Sequence, residues 1–240
     1  MPNASEAERT RTLRIDGDRS VAVVGHQSGQ VRQWVDALRV DLSPAPVRAY
    51  STDSLAASMR DGQEQVGLIV AVDSIVEAAE VASRHGVALL WAPSDGPAGV
   101  GEALPGARVT AETLMCVRPA HRPVRFVLAE CVVEPLAGGS LRVEGDRGLD
   151  AVVPMLRAVN RDPFGLLPEV RCAHGASSMV GLCWTAAEPL ADRMIHRRNR
   201  IVVTSADSSA IEVTCDAGRF RLHTTRLTIG PARRLRVVHV

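Results

Sequence analysis

The 240-residue sequence contains no lysine; all 28 of its basic residues are arginine. That absence excludes a Walker-type phosphate lysine and a Schiff-base lysine. Arginine remains available for phosphate, which it grips through two parallel hydrogen bonds. Aromatic residues are scarce, at three Phe, three Trp and one Tyr, which leaves too few rings for a base-stacking platform. A net charge of +1 adds no general pull toward polyanions, so no nucleic-acid partner is expected. No apolar run approaches the roughly 18–20 residues that a membrane span needs, so no integral membrane segment is expected. The opening MPNASEAERTRTLRIDGDRS is polar and has no apolar stretch of the kind that forms a signal peptide. It reads as a flexible arm over residues 1–14 of a cytoplasmic protein. The five cysteines (116, 131, 172, 183 and 215) include no C-x-x-C pair and sit mostly among apolar neighbours. They read as core thiols, with neither a disulfide frame nor a metal site.

What is present is a soluble-protein composition, 46% hydrophobic with mean hydropathy +0.04, long enough for two small domains. Val21–Val24 is an apolar strand followed by a Gly/Ser turn. Val31, Trp34, Val35 and Leu38 then fall on one helical face. VRAYST is a second strand, and DSLAASMRDG a short helix with Asp53 or Ser54 as its cap. VGLIVAV, uninterrupted in its apolar run, suits a strand covered on both faces. SIVEAAEVASRHG is a helix closed by glycine, and VALLWAP a fourth strand. Alternating strands and helices predict a small parallel α/β domain over residues 15–115.

After Pro119 the pattern changes to short β-rich runs separated by Gly, Pro, Asp and Ser. Ile211, Val213 and Cys215 alternate with Glu212 and Thr214 in a period of two. Residues 120–240 are expected to form an antiparallel β-sandwich, with the last strands packing back on the first domain. Only the stretch from Leu149 to Met155 onward and AEPLADRMIH suggest helix. Exposed terminal strands make a homodimer a candidate assembly.

In an open parallel sheet, ligands bind beyond the C-terminal ends of the strands. Three joints lie there: GHQSG (25–29), AVDSI (71–75) and APSDGPAGVGEALPG (92–106). In order, they resemble the diacylglycerol-kinase-like lipid kinases, whose relatives include the NAD kinases. The family's Asn-Pro-x-Ser-Gly corresponds to Gly25-His26-Gln27-Ser28-Gly29. Its Gly-Gly-Asp-Gly-Thr corresponds to Ala71-Val72-Asp73-Ser74-Ile75, where only the aspartate matches. Pro93 and the glycine-rich residues after it stand at the spacing of its Pro-x-Gly-Thr-Gly-Asn. Further on, GGSLRVEGDRGLD resembles the family's Gly-Gly-Gly run and Asp-Asp-Gly-x-Leu-Asp segment, with Arg147 in place of the second aspartate. EVTCDAGRF resembles its Asp-Gly-Glu segment at Asp216 and Gly218, and RLTIGPARRLRVV its final strand pair.

The resemblance implies an α/β domain, a β-sandwich and a cleft between them. It implies His26, Ser28, Gly29, Ser74, Ser94, Asp95 and Gly96 as ligand or nucleotide contacts. Asp73, Asp146 and Asp150 would be catalytic if the chain is an active kinase, which would use ATP and Mg²⁺; no metal ligand set is implied otherwise. Glu134 joins them as a cleft carboxylate. The departures point the other way. Val72 and Ile75 put branched hydrocarbon where glycine and a threonine hydroxyl would meet phosphate, and Arg147 reverses a charge.

The favoured expectation is therefore a degenerate pseudokinase that binds a small or lipid-like ligand in the cleft, or a protein partner. An active lipid or small-molecule kinase and an enzyme of non-phosphoryl chemistry are the alternatives. Local roles compete with these functional ones. Asp73 also suits an N-cap with Glu77 reaching back, Ser28–Gly29 a plain strand-to-helix turn, and the basic run His196–Arg200 a solvated face. Cys172 and His174 have no third partner and make no catalytic pair.

Overall fold

The computed structural model describes residues 11–15, 17–92, 95–128, 130–159, 180–184, 194–198, 200–216 and 220–240, with backbone alone at 147, 180–184 and 194–198. The chain divides into two compact units, residues 1–112 with 234–240, and residues 113–233.

The first unit contains β1 (Arg11–Thr12), β2 (Ser20–Val24), α1 (Ser28–Asp41), β3 (Val47–Tyr50), α2 (Thr52–Arg60), β4 (Val66–Ala71), α3 (Ile75–His85), β5 (Ala88–Trp91), α4 (Val100–Ala103) and the start of β6 (Arg108–Pro119). Strands β3, β2, β4 and β5 are hydrogen-bonded in that order and all parallel. Every residue of β2 is buried, as are five of the six in β4, because helices cover both faces of the sheet. Helix α1 turns Val31, Trp34, Val35 and Leu38 inward, against Val21, Val23, Leu68 and Val70. Near the chain's end, Arg236 and Val237 run parallel to β5, and Val238 joins the same cluster.

The helix ends follow local chemistry. Ser51, and not Asp53 or Ser54, caps α2: its hydroxyl accepts from the Ser54 N–H at 3.2 Å. Helix α3 ends at Gly86, whose φ of 68° is left-handed, a conformation glycine adopts without a Cβ penalty. Its N-cap is Ser74, which makes no side-chain cap bond, so the cap expected of Asp73 does not form.

Among the described residues, the regular elements of the second unit are strands apart from a 3₁₀ turn at Asp146–Gly148. It holds the rest of β6, then β7 (Arg125–Val127), β8 (Glu130–Pro135), β9 (Leu141–Gly145), β10 (Leu149–Val153), β11 (Leu156–Val159), β12 (Val180–Trp184), β13 (Met194–Arg198), β14 (Ile201–Ser205), β15 (Ile211–Cys215), β16 (Phe220–Thr224) and most of β17 (Arg226–His239). One antiparallel set runs β10-β9-β14-β17. The other runs β13-β12-β11-β8-β15-β16. Leu141, Val143, Ile201, Val203 and Leu227 of the first share one apolar cluster with Cys131, Val133, Leu156, Val213 and Cys215 of the second. This is the expected sandwich, two sheets closed on a common core.

Expectations about several elements change. The segment from Leu149 is strand, with Ala151 half-buried between the exposed Asp150 and Val152, a period of two that pairs with β9. Residues 108–119 form one long strand across the expected domain boundary. Of the other helical stretch, residues 187–193 lie outside the described residues and 194–198 are strand. Arg11 and Thr12, at the end of the expected arm, pair with β6.

Leu68 is fully buried in β4, at the middle of the parallel sheet, whereas Val152 is 65% exposed. Leu68→Ala is expected to cost about 2–5 kcal/mol in urea unfolding. Val152→Ala is expected to stay within about 0.5 kcal/mol.

Candidate functional site

The chain leaves β2 toward β3 on one side, and β4 lies on the other, so the crevice between the ends of β2 and β4 is the sheet's switch point. Asp73 occupies it. Its Oδ1 and Oδ2 accept the His26 N–H at 2.8 and 3.0 Å, and Oδ2 accepts the Gln27 N–H at 3.0 Å. The Ser74 hydroxyl donates to Oδ1 at 2.8 Å. Burial works to raise this carboxyl's pKa. The His26 N–H, the Ser74 hydroxyl, the Gln27 N–H and the charge of His26 outweigh that and hold it below the usual carboxylate value.

Gly25 makes this contact geometrically feasible. A Cβ there would meet Val31 Cγ2 at 2.8 Å and Asp73 Oδ1 at 2.9 Å. The first glycine of GHQSG thus admits a carboxylate from the chain itself. Gly29 has open space around the corresponding direction and sits in the first turn of α1.

Ile75 is fully buried, and Val72 packs against the core beneath the sheet end. Burial draws their hydrocarbon inward, fully for Ile75 and in part for Val72. Asp73 fills the joint. Ser74 is buried at 1% exposure with its hydroxyl committed to Asp73. His26, Ser28 and Gly29 are exposed at the strand end. Helix α1 starts with no side-chain cap and no acid in its first turn. The N–H groups of Ser28, Gly29 and Gln30 therefore have no intrahelical acceptor.

A groove of about 520 Å³ opens beside these residues, in the size range of small-ligand sites. It is lined by Gly25, His26 and Ser28, by Val31, Arg32, Val35, Asp36 and Arg39 of α1, and by Ala49, Tyr50, Ser51 and Ser54. Arg39 Nε donates to Val47 O at 3.1 Å, and its ion pair with Asp36 is long, at 4.0 Å. Burial first, then a hydrogen bond to Glu64, raise the Tyr50 hydroxyl. Glu64 also receives Arg48 and the Ser20 hydroxyl, the latter at 3.2 Å. Arg32, Arg39 and Tyr50 went unremarked in the sequence, although Arg32, Asp36 and Arg39 recur at spacings of four and three on one helix face.

Ser94 and Pro93 fall outside the described residues, as do Cys172, His174, Asn199 and Gly218; of His196–Arg198 only the backbone is described. Asp95 is exposed and Gly96 half-buried with φ of 100°. In the second unit, Asp146 stands in the 3₁₀ turn, its N–H reaching Arg200 O at 3.4 Å. Asp150 pairs with Arg142 at 3.2 Å on an outer strand, and Glu134 is exposed. Asp216 is buried, with its carboxylate accepting the Leu128 and Glu130 N–H groups at 3.1 and 3.3 Å. Among the described residues, no three His, Cys, Asp or Glu side chains gather to hold a metal ion.

Three outcomes follow for this joint. Gly25→Ala, which overpacks it, is expected to cost about 1–3 kcal/mol in chemical denaturation. Gly29→Ala, in a helix with open space, is expected to stabilise by roughly 0.5–1 kcal/mol. Asp73→Asn is expected to lose on the order of 1 kcal/mol at pH 7, after allowing for solvent screening of a half-exposed group. Because the native pKa is depressed, the carboxylate's contribution is present above about pH 4 and disappears as pH falls through the native value. Wild type and Asp73→Asn should therefore converge in stability as the pH is lowered toward 2.

No family model matches the sequence, and no curated protein matches it significantly. Solved structures do match. A diacylglycerol kinase from Bacillus anthracis str. Sterne superposes with a TM-score of 0.64 at 10% identity, covering 95% of this chain and 98% of its own. An NAD kinase from Archaeoglobus fulgidus, in complex with ATP, superposes with a TM-score of 0.60 at 12% identity, covering 92% and 93%. An α/β unit with a parallel sheet, a β-sandwich unit and these superpositions together establish that the chain has the fold shared by diacylglycerol kinases and NAD kinases.

Proposed function

We propose that this chain is a degenerate member of the diacylglycerol-kinase-like group, without ordinary ATP-dependent phosphotransfer, that binds a small ligand at the strand ends of its first unit. The observation that carries this reading is the engagement of Asp73. Phosphoryl transfer relies on open N–H groups and positioned charge around the migrating group. Here an internal carboxylate takes the N–H groups of His26 and Gln27, and the nearest hydroxyl, that of Ser74, points to the same carboxylate. ATP and Mg²⁺ in the usual glycine-loop manner do not fit a joint that holds its own anion. The adjoining groove supplies other chemistry: an apolar floor from Val31 and Val35, with Arg32, Arg39, Ser28 and Ser54 around it. This combination suits a small molecule with an acidic group and an apolar body. A protein partner in place of a small ligand remains the companion reading.

One observation favours the rival, an active kinase with an altered loop. Asp73 is retained, ionised and only half-buried at the switch point, and the Archaeoglobus NAD kinase of the same fold is a complex with ATP.

Thermal-shift titration separates the two. ATP, ADP and NAD with Mg²⁺ are expected to move the unfolding midpoint by less than about 1 °C, whereas a ligand at 100 times its Kd contributes about 2.7 kcal/mol. A panel of small phosphorylated and carboxylated metabolites should contain compounds whose shift Arg32→Ala reduces. A Mg²⁺-dependent ATP shift that Asp73→Ala abolishes would overturn the degenerate reading.

A further inference from the structure

Cys131 on β8 and Cys215 on β15 are direct cross-strand partners, both fully buried and both free thiols. The flanking backbone bonds fix which kind of partner they are. Leu136 N–H donates to Ala210 O, and Asp216 N–H donates to Glu130 O, in the same register as the cysteines. Hydrogen-bonded and non-bonded pairs alternate along an antiparallel ladder, so the even-numbered pairs carry the bonds and Cys131–Cys215 is a non-bonded pair. Residues so placed have Cα atoms about 4.5 Å apart with side chains leaning together, inside the window of roughly 4.4–6.8 Å that a disulfide spans. Both side chains join the apolar cluster between the two sheets, and the thiols are within hydrogen-bonding reach of each other. Cys116 is separate: its Sγ donates to Pro231 O at 3.8 Å.

We propose that Cys131 and Cys215 are an oxidisable pair that closes to a cross-strand disulfide when the chain meets a hydroperoxide. In the first step one cysteine sulfur attacks the O–O bond of hydrogen peroxide, giving a sulfenic acid and one water. The second sulfur then displaces the sulfenic oxygen, forming the S–S bond and releasing a second water. Two thiols lose two protons and two electrons, and the peroxide is reduced to two waters.

The surroundings set the pace. The bond to Cys131, burial, and the neighbouring carboxylates of Asp216 and Glu130 all raise the Cys215 thiol. The thiolate is the reactive form, so closure in the folded sheet is slow and depends on transient opening of β15. Among the described strands, only β16 lies beyond it in that sheet.

Peptide mapping of the full reduced chain after exposure to hydrogen peroxide tests this, with remaining thiols blocked by N-ethylmaleimide in denaturant. The expected product joins the tryptic peptides Phe126–Arg142 and Ile201–Arg219, consumes two alkylatable thiols per chain and reverts with dithiothreitol. A staple across a loop of roughly 80 residues should also raise the thermal midpoint by about 5 °C or more. The Cys116→Ala variant should give the same linked product. Recovery of Cys131 and Cys215 as alkylated thiols, as sulfinic or sulfonic acids, or joined to other cysteines would overturn the proposal.

Discussion

One carboxylate ties together the two loops from which the first unit's chemistry would be built. Asp73 leaves the end of β4, reaches the loop after β2 and takes two of its N–H groups. The arrangement depends on both sides: Gly25 must lack a Cβ to admit the oxygen, and Ser74 must turn its hydroxyl toward it. The strand-end loops of this fold are designed around an anion. Here a carboxylate of the chain itself occupies the strand-end joint, and a groove opens beside it, between α1 and the end of β3.

The comparison with solved kinases shows what a fold preserves when sequence identity falls to 10–12%. The burial pattern survives, because β2 and β4 must be apolar throughout to lie between covering helices, and the sandwich must fill its common core from both sheets. The chemistry of the loops is not required by that packing. Valine and isoleucine at 72 and 75 are accommodated by pointing inward, where they add to the core.

The fold was largely legible in the sequence, and the site only in part. Uninterrupted runs such as VGLIVAV reported strands covered on both faces, and the period-two pattern of Ile211, Val213 and Cys215 reported a half-buried sheet. Local signals failed where tertiary pairing decides. Leu149–Val153 has little intrinsic strand character, yet it lies along β9. Asp73 read as a helix cap because a cap needs only neighbours in sequence, whereas the backbone N–H groups it accepts from lie 46 and 47 residues away. The thiol pair was hidden for the same reason: spacing along the chain says nothing of register, and Cys131 and Cys215 meet only once β8 and β15 are aligned. The groove arginines were visible as a helical stripe, but a stripe becomes a wall only when β3 and α2 stand opposite.

The return of β17 to the first unit has a bearing on synthesis. Residues 234–240 belong with the opening 112, and Val238 lies in their core. While a ribosome is still translating the sandwich, β5 exposes the backbone edge that Arg236 and Val237 will later cover. An unpaired parallel edge is a template for other strands. The nascent chain therefore carries an open sheet margin from the emergence of β5 until Arg236 and Val237 are made.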